Sequence, residues 1–352
     1  VLALAVGLPL AWLLSRSEGQ STRIVRTLLV LSFVLPEFIY AIAYAFLLEP
    51  NTGYFTRLIH LIFADATPPL YGLIGMSIIT GLYCVPQVVI LVEPALRNIS
   101  SDLEEAAETC GATTRATLFR VTLPLIVPSV LTATLLTVLL AFGSVGIPAA
   151  PGIPVGYYVL STEVFSIVSA YPPEFDKAAV LSLLFLLVGL LVALCQVYAV
   201  RKSIRYRSIG GKGFRRSRGR PSLLTRAGCH TFLWMCAALV SLLPLVIIFA
   251  ASFAKKWWQI PGPLTLHHYE FVLGGDPLLF DVAWTTVSVT LLTVVGASVP
   301  PIAFPIGALL ASVAPPLPLY GTVWILVFTY WARFYPLAAG PILDNIIQLD
   351  LR

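Results

Sequence analysis

The sequence predicts an all-α fold, a polytopic bundle of membrane-spanning helices, on three observations. Its 352 residues are 58% hydrophobic with a mean hydropathy of +0.90. Only 11% are charged, against roughly 25% in soluble domains. The apolar residues run in unbroken blocks of about 20 without period-two alternation, and in lipid such blocks satisfy their backbone groups only as helices.

Apolar runs between charge and turn clusters place spans near 27–48, 71–92, 125–147, 178–200, 230–253, 284–311 and 320–343. A further run, 1–14, is too short for a hydrocarbon core of about 30 Å at about 1.5 Å per residue. It reads as the remainder of a longer helix, which brings the expectation to about eight spanning segments. No basic n-region or small-residue cleavage site marks it as a signal peptide.

Sidedness follows from charge. Residues 201–226 carry Arg201, Lys202, Arg205, Arg207, Lys212, Arg215, Arg216, Arg218, Arg220 and Arg226 and no acid, which makes this segment cytoplasmic by the positive-inside rule. Alternation then puts 15–26 and 93–124 inside, and 49–70, 148–177 and 254–283 outside. Gly210, Gly211, Gly213, Gly219 and Pro221 make the basic segment a flexible linker. The net charge of +5 is thus topogenic, and no nucleic-acid partner is expected. Cys84, Cys110, Cys195, Cys229 and Cys236 lie in apolar or cytoplasmic segments and imply no disulfide framework.

The most informative stretch is the inside loop from Ser101 to Pro124. Ser101 and Glu104 form a capping box, and acids following a helix start are favoured by the macrodipole. Leu103, Ala106, Ala107 and Cys110 recur at helical spacing as a narrow stripe of small apolar residues. Gly111 permits a turn, a second short helix follows through Phe119, and Pro124 is placed to redirect the chain into the next span.

This loop resembles the EAA loop of binding-protein-dependent ABC importer permeases: Glu-Ala-Ala, three residues, Gly, nine residues, an aliphatic, one residue, then Leu-Pro. Glu105, Ala106, Ala107, Gly111, Val121, Leu123 and Pro124 match in register, with Val where Ile is usual. Two stretches resemble the ferric-iron-type branch with two fused halves: Phe142 to Ala179, and Trp257-Trp258 with Pro263 to Tyr269. The resemblance implies a type I permease fold, an inner-membrane location, coupling of the loop to cytoplasmic ATPase subunits, and delivery of solute by a periplasmic binding protein. It implies a division into 1–200, a first half lacking its first helix; 201–229, the linker; and 230–352, the start of a second half. No second EAA loop follows 343, so a fragment, or a short form completed by homodimerisation, is expected. Ferric iron is the preferred solute, with polyamine, thiamine, phosphonate and sulfate as alternatives.

Other residues carry groups capable of chemistry. Glu37 lies within an apolar run, where an ionisable group marks a functional position or merely adjoins the helix break at Pro36. Gly143, Gly146 and Pro148, with Pro151, Gly152 and Pro154, interrupt a helix near the membrane boundary, which either lines a solute path or forms a structural turn. His267 and His268 lack a carboxylate or thiol set to complete a metal site, and they read as an outside loop contacting lipid or the binding protein. No phosphate-binding glycine loop occurs, so no cofactor and no catalytic role are expected. The other readings are a membrane-embedded enzyme, which would need convergent His, Asp, Glu or Ser groups at membrane depth, and an ion-coupled secondary transporter, which would rely on intramembrane carboxylates. A single cysteine introduced as Ser208→Cys in an otherwise cysteine-free chain tests the topology: an impermeant maleimide should label it only after the cells are opened, and rapid labelling from outside would invert the assignment.

Overall fold

The computed structural model describes residues 1–17, 19–62, 70–99, 101–172, 174–203, 223–256, 262–274 and 277–297. Among these, the regular elements are helices, and the one β-contact is an isolated bridge between Ala254 and Leu264. Their order is α1 (Leu2–Arg16), α2 (Gln20–Val34), α3 (Glu37–Leu48), α4 (Tyr54–Ile62), α5 (Leu73–Tyr83), α6 (Val85–Arg97), α7 (Ser101–Thr109), α8 (Thr114–Thr117), α9 (Leu123–Gly143), α10 (Gly146–Gly152), α11 (Leu160–Ser169), α12 (Phe175–Ser203), α13 (Leu223–Ala237), α14 (Leu243–Phe253), α15 (His267–Leu273) and α16 (Pro277–Ala297).

Four stretches among the described residues are long and apolar enough to cross a membrane: 73–97, 118–143, 175–192 and 227–253. The expected span 320–343 and the end of 284–311 lie outside the described residues, as do Trp257, Trp258 and linker residues 204–222. The expected straight span at 27–48 is corrected. It is the bent pair α2 and α3, which turn by 107°, because Pro36 forces Leu35 out of the helical region to φ −61°, ψ 131°. Counted as one, the pair raises the total to five.

The core of the first compact unit, residues 1–264, forms where α1 lies along α6. Ala3, Gly7 and Ala11 are all buried on α1 at four-residue spacing, the small-residue stripe that lets membrane helices approach closely. A Cβ on Gly7 would sit 2.8 Å from the side chain of Val88. Val85, Val88, Val92 and Leu96 of α6 are buried with Leu10 and Leu14 of α1. At the ends of these helices Glu93, 6% exposed, accepts hydrogen bonds from Arg26 Nε at 3.1 and 3.2 Å and pairs with Arg97 Nε at 3.0 Å. The contact joins segments 15–26 and 93–97, which the charge pattern places on one side.

Helices α13 and α14 run as one through a π-turn, Ala238–Leu242. Leu243 N–H bonds the Ala238 carbonyl five residues back. That withholds it from Leu239, and Pro244, four ahead of Val240, has no N–H to give. Both carbonyls are taken by α3: Tyr44 Oη donates to Leu239 at 2.5 Å and Tyr40 Oη to Val240 at 3.0 Å. Ser241 Oγ bonds Ser32 Oγ at 3.0 Å in the same buried seam. The tyrosine rings pack together, Tyr40 against Tyr44 at 5.1 Å and Tyr83 at 5.2 Å between centroids.

In the second unit, which begins at Thr265, α15 carries His267 and His268, whose ring centroids lie 6.3 Å apart. No three His, Cys, Asp or Glu side chains converge among the described residues.

Tyr40→Phe and Tyr44→Phe should each lower stability by about 1–2 kcal/mol, read as a shift in denaturant midpoint of the purified chain. Pro244→Ala, which restores an N–H to Val240, should recover part of the Tyr40→Phe loss and none of the Tyr44→Phe loss. Tyr198→Phe, at an exposed site on α12, serves as the neutral control.

Candidate functional site

Two regions hold the residues singled out in the sequence. The first is the loop between α6 and α9. Helix α7 ends in a turn that requires glycine: Gly111 has φ +83°, and Ala112 N–H bonds the Ala107 carbonyl at 3.0 Å across it. This is the six-to-one bond of a Schellman cap, whose left-handed residue costs a β-branched side chain most. A Cβ at Gly111 would meet nothing within 4 Å, so the demand is conformational and not spatial. Thr113 then caps α8, its Oγ1 accepting Ala116 N–H at 3.3 Å.

The expectation that Pro124 redirects the chain is corrected. The helix continues from α8 through a π-turn, Leu118–Thr122, into α9. Leu123 N–H bonds the Leu118 carbonyl five residues back, and Pro124 stands in the first turn of α9 within the same helix. Residues 118–143 thus form one continuous span. Val121 and Leu123 are half-buried on it.

Of the motif's small apolar stripe, Leu103, Ala106 and Cys110 are exposed and Ala107 is half-exposed, while Glu105 and Gly111 also face outward. Phe119 is 65% exposed. The side chains of Ser101 and Glu104, the expected capping box, lie outside the described residues.

The second region lies at the break between α9 and α10. Val145 and Gly146, the first amides of α10, donate to Glu37 Oε1 at 3.2 and 3.0 Å. A Cβ on Gly146 would stand 2.8 Å from Phe38 N and 2.9 Å from Glu37 Cγ, so only glycine permits this approach. Pro148 is buried in α10, and Gly143 is exposed at the end of α9 with open space where a Cβ would be. The Ser144 carbonyl accepts Ser161 Oγ at 2.6 Å, and the Pro151 carbonyl accepts Gly72 N–H at 3.2 Å. Glu37 and Gly146 are therefore brought together, with Pro148 in the same short helix and Gly143 at its margin. Tyr40, Tyr44, Tyr83 and Ser161 were not singled out from the sequence. Only a search for hydroxyls opposite proline-freed carbonyls would have found them.

Residues 3–206 match the family of the binding-protein-dependent transport system inner membrane component. The chain belongs to that family, the permeases of ABC importers. Its members are multi-pass inner-membrane transport proteins, and the ATPase of these systems is a separate subunit. Among curated relatives, the molybdenum transport system permease protein ModB of Mycobacterium tuberculosis is 32% identical over 197 residues, 55% of this chain and 72% of that protein. The ferric transport system permease protein FbpB of Actinobacillus pleuropneumoniae is 24% identical over 295 residues, 83% of this chain and 42% of that protein. The sulfate transport system permease protein CysT of Escherichia coli K12 is 29% identical over 140 residues, 40% of this chain and 49% of that protein.

Glu37→Ala should leave the Val145 and Gly146 amides without an acceptor, and Gly146→Ala should push α10 off α3. Both should reduce the abundance of folded permease in the membrane, read by fluorescence-detected gel filtration. Glu37→Gln, which keeps an acceptor oxygen, should lose far less.

Proposed function

We propose that this chain is the membrane permease of a binding-protein-dependent ABC importer in which the 101–124 loop couples a cytoplasmic ATPase to the solute path. One observation carries the reading. The residues matching the family motif, Glu105, Ala106, Ala107 and Gly111, form a self-capped helical turn whose small apolar side chains are uncovered. A protein surface can approach such a stripe closely, and the loop's own backbone bonds do not need to be broken to admit it.

The way the loop is joined to the bundle supports a mechanical role. The span 118–143 is 26 residues long, about 40 Å of continuous helix, from the loop to Gly143. Beyond Gly143 lie α10 and the Glu37 contact. A tilt of the loop driven by ATPase closure is delivered to the α9–α10 break, where Glu37, Gly143, Gly146 and Pro148 form the candidate wall of the translocation path. A binding protein presents the solute on the opposite side. Residues 1–200 act as one permease half, and 230–352 belong to a second half reached through the basic linker 201–229.

Ferric iron remains the preferred solute, because the similarity to the ferric permease spans 83% of this chain. An oxyanion is the second reading, favoured by the 32% identity to the molybdenum permease.

Two measurements test the proposal. In a chain retaining only Cys110, which is exposed at the end of α7, the cognate ATPase should protect the thiol from maleimide, and unchanged labelling would remove the coupling assignment. In vesicles holding the complete importer, Gly111→Val and Ala107→Trp should lower ATP-dependent uptake at least tenfold at unchanged abundance. Gly111→Asn should retain more, since Asn tolerates a left-handed φ. Competition among labelled ferric iron, molybdate and sulfate in the same vesicles assigns the solute.

A further inference from the structure

A polar pocket of about 300 Å³ opens at the junction of α1, α2 and α6, lined by Ser17, Gly19, Thr22, Arg23, Arg26 and Arg97. Four features converge there. Helix α2 follows the N-cap residue Gly19, and among the described residues no side chain caps its first amides or the positive end of its dipole. Thr22 is 2% exposed, and its Oγ1 has no hydrogen-bond partner. Arg26 and Arg97 both hold the buried Glu93, and Arg23 makes no ion pair among the described residues. Among the described residues, three guanidiniums stand here against that one carboxylate.

We propose that this pocket binds a phosphate-type oxyanion, held by Arg23, Arg97, Thr22 Oγ1 and the first amides of α2. The groups suit that chemistry: all can donate, the guanidiniums are planar forks matched to tetrahedral oxyanions, and a helix N-terminus stabilises the charge. A lipid headgroup is the source the surroundings favour. A space of about 300 Å³ equals roughly ten water volumes, which a bare ion fills poorly and a glycerophosphate fills well. Ser17 of the pocket directly follows α1, whose last turns carry Trp12 with its ring 6.0 Å from the Arg16 guanidinium, the pairing of aromatic and basic side chains that marks a membrane interface. Arg97 closes α6 four residues before α7 begins, so an occupied pocket would brace the base of the coupling loop.

The test uses the full chain purified in a zwitterionic detergent and does not depend on the ATPase reading. Its thermal unfolding is titrated with short-chain phosphatidylglycerol, short-chain phosphatidylcholine, inorganic phosphate and sulfate at matched ionic strength. Phosphatidylglycerol should stabilise the chain saturably and phosphatidylcholine should not. Arg23→Gln should weaken the apparent affinity about tenfold, the loss of roughly one charge-assisted contact. Thr22→Val should weaken it severalfold, and Lys255→Gln should leave it unchanged. An equal response to phosphate or sulfate upholds the oxyanion site and assigns it to a free ion. An equal response to phosphatidylcholine, or a phosphatidylglycerol response unaltered by both Arg23→Gln and Thr22→Val, overturns the proposal.

Discussion

The structure rests on one constraint: inside a bilayer, a backbone N–H or carbonyl released from its helix must find another partner, at a cost of several kcal/mol if it does not. This chain, with 27 prolines and 24 glycines, releases such groups repeatedly, and three of the described breaks are bridged from another element. At the Pro36 break the Leu35 carbonyl accepts Tyr83 Oη at 3.3 Å. At the Pro244 π-turn, Tyr40 and Tyr44 take the Val240 and Leu239 carbonyls. At the α9–α10 break, Glu37 accepts two amides and Ser161 donates to Ser144. The breaks and their partners are one system, because each bridge also fixes how two elements sit against each other.

That system separates the rigid parts of the molecule from the part left open. Where helices break in the bundle, the freed groups are bridged by buried or half-buried side chains, and displacement would uncover polar backbone in lipid. The 101–124 loop satisfies its backbone locally, through the Gly111 cap and the Thr113 cap, and leaves Leu103, Ala106, Cys110 and Phe119 uncovered. A surface built this way can gain a partner without unfolding. Under the proposed coupling role, the continuous helix behind it would carry the partner's motion to the α9–α10 break, where Glu37 accepts the Val145 and Gly146 amides.

Much of this was legible in the sequence, and the rest was hidden for identifiable reasons. Hydropathy located α6, α9, α12 and the α13–α14 span because burial in lipid is a composition effect. The motif located the loop because Gly111 is demanded by its own φ, a local property. Pro36 and Pro124 show the limit. Both signal a break by the same local rule, yet one bends the chain by 107° and the other is absorbed in a π-turn. The outcome depends on whether distant groups reward the bend, as Tyr83 does at Leu35. Glu37 was noticed, but its partners at Val145 and Gly146 stand more than a hundred residues away and carry no side-chain signature. Glu93 and Arg26 escaped notice because each looked like an ordinary flanking charge.

The polar bridges also account for how α13 and α14 hold their place against α2 and α3. Within lipid, apolar side chains gain little by exchanging acyl chains for one another, so van der Waals fit and hydrogen bonds must specify which helices associate. The seam meets this with Tyr40, Tyr44, Ser32 and Ser241, whose acceptors are set by the π-turn. A register slip on α13 and α14 would strand the Leu239 and Val240 carbonyls. The bridges therefore act less by adding net stability than by making one alignment far better than its neighbours. A single alignment of this kind is what the proposed transmission of a tilt through packed helices would require.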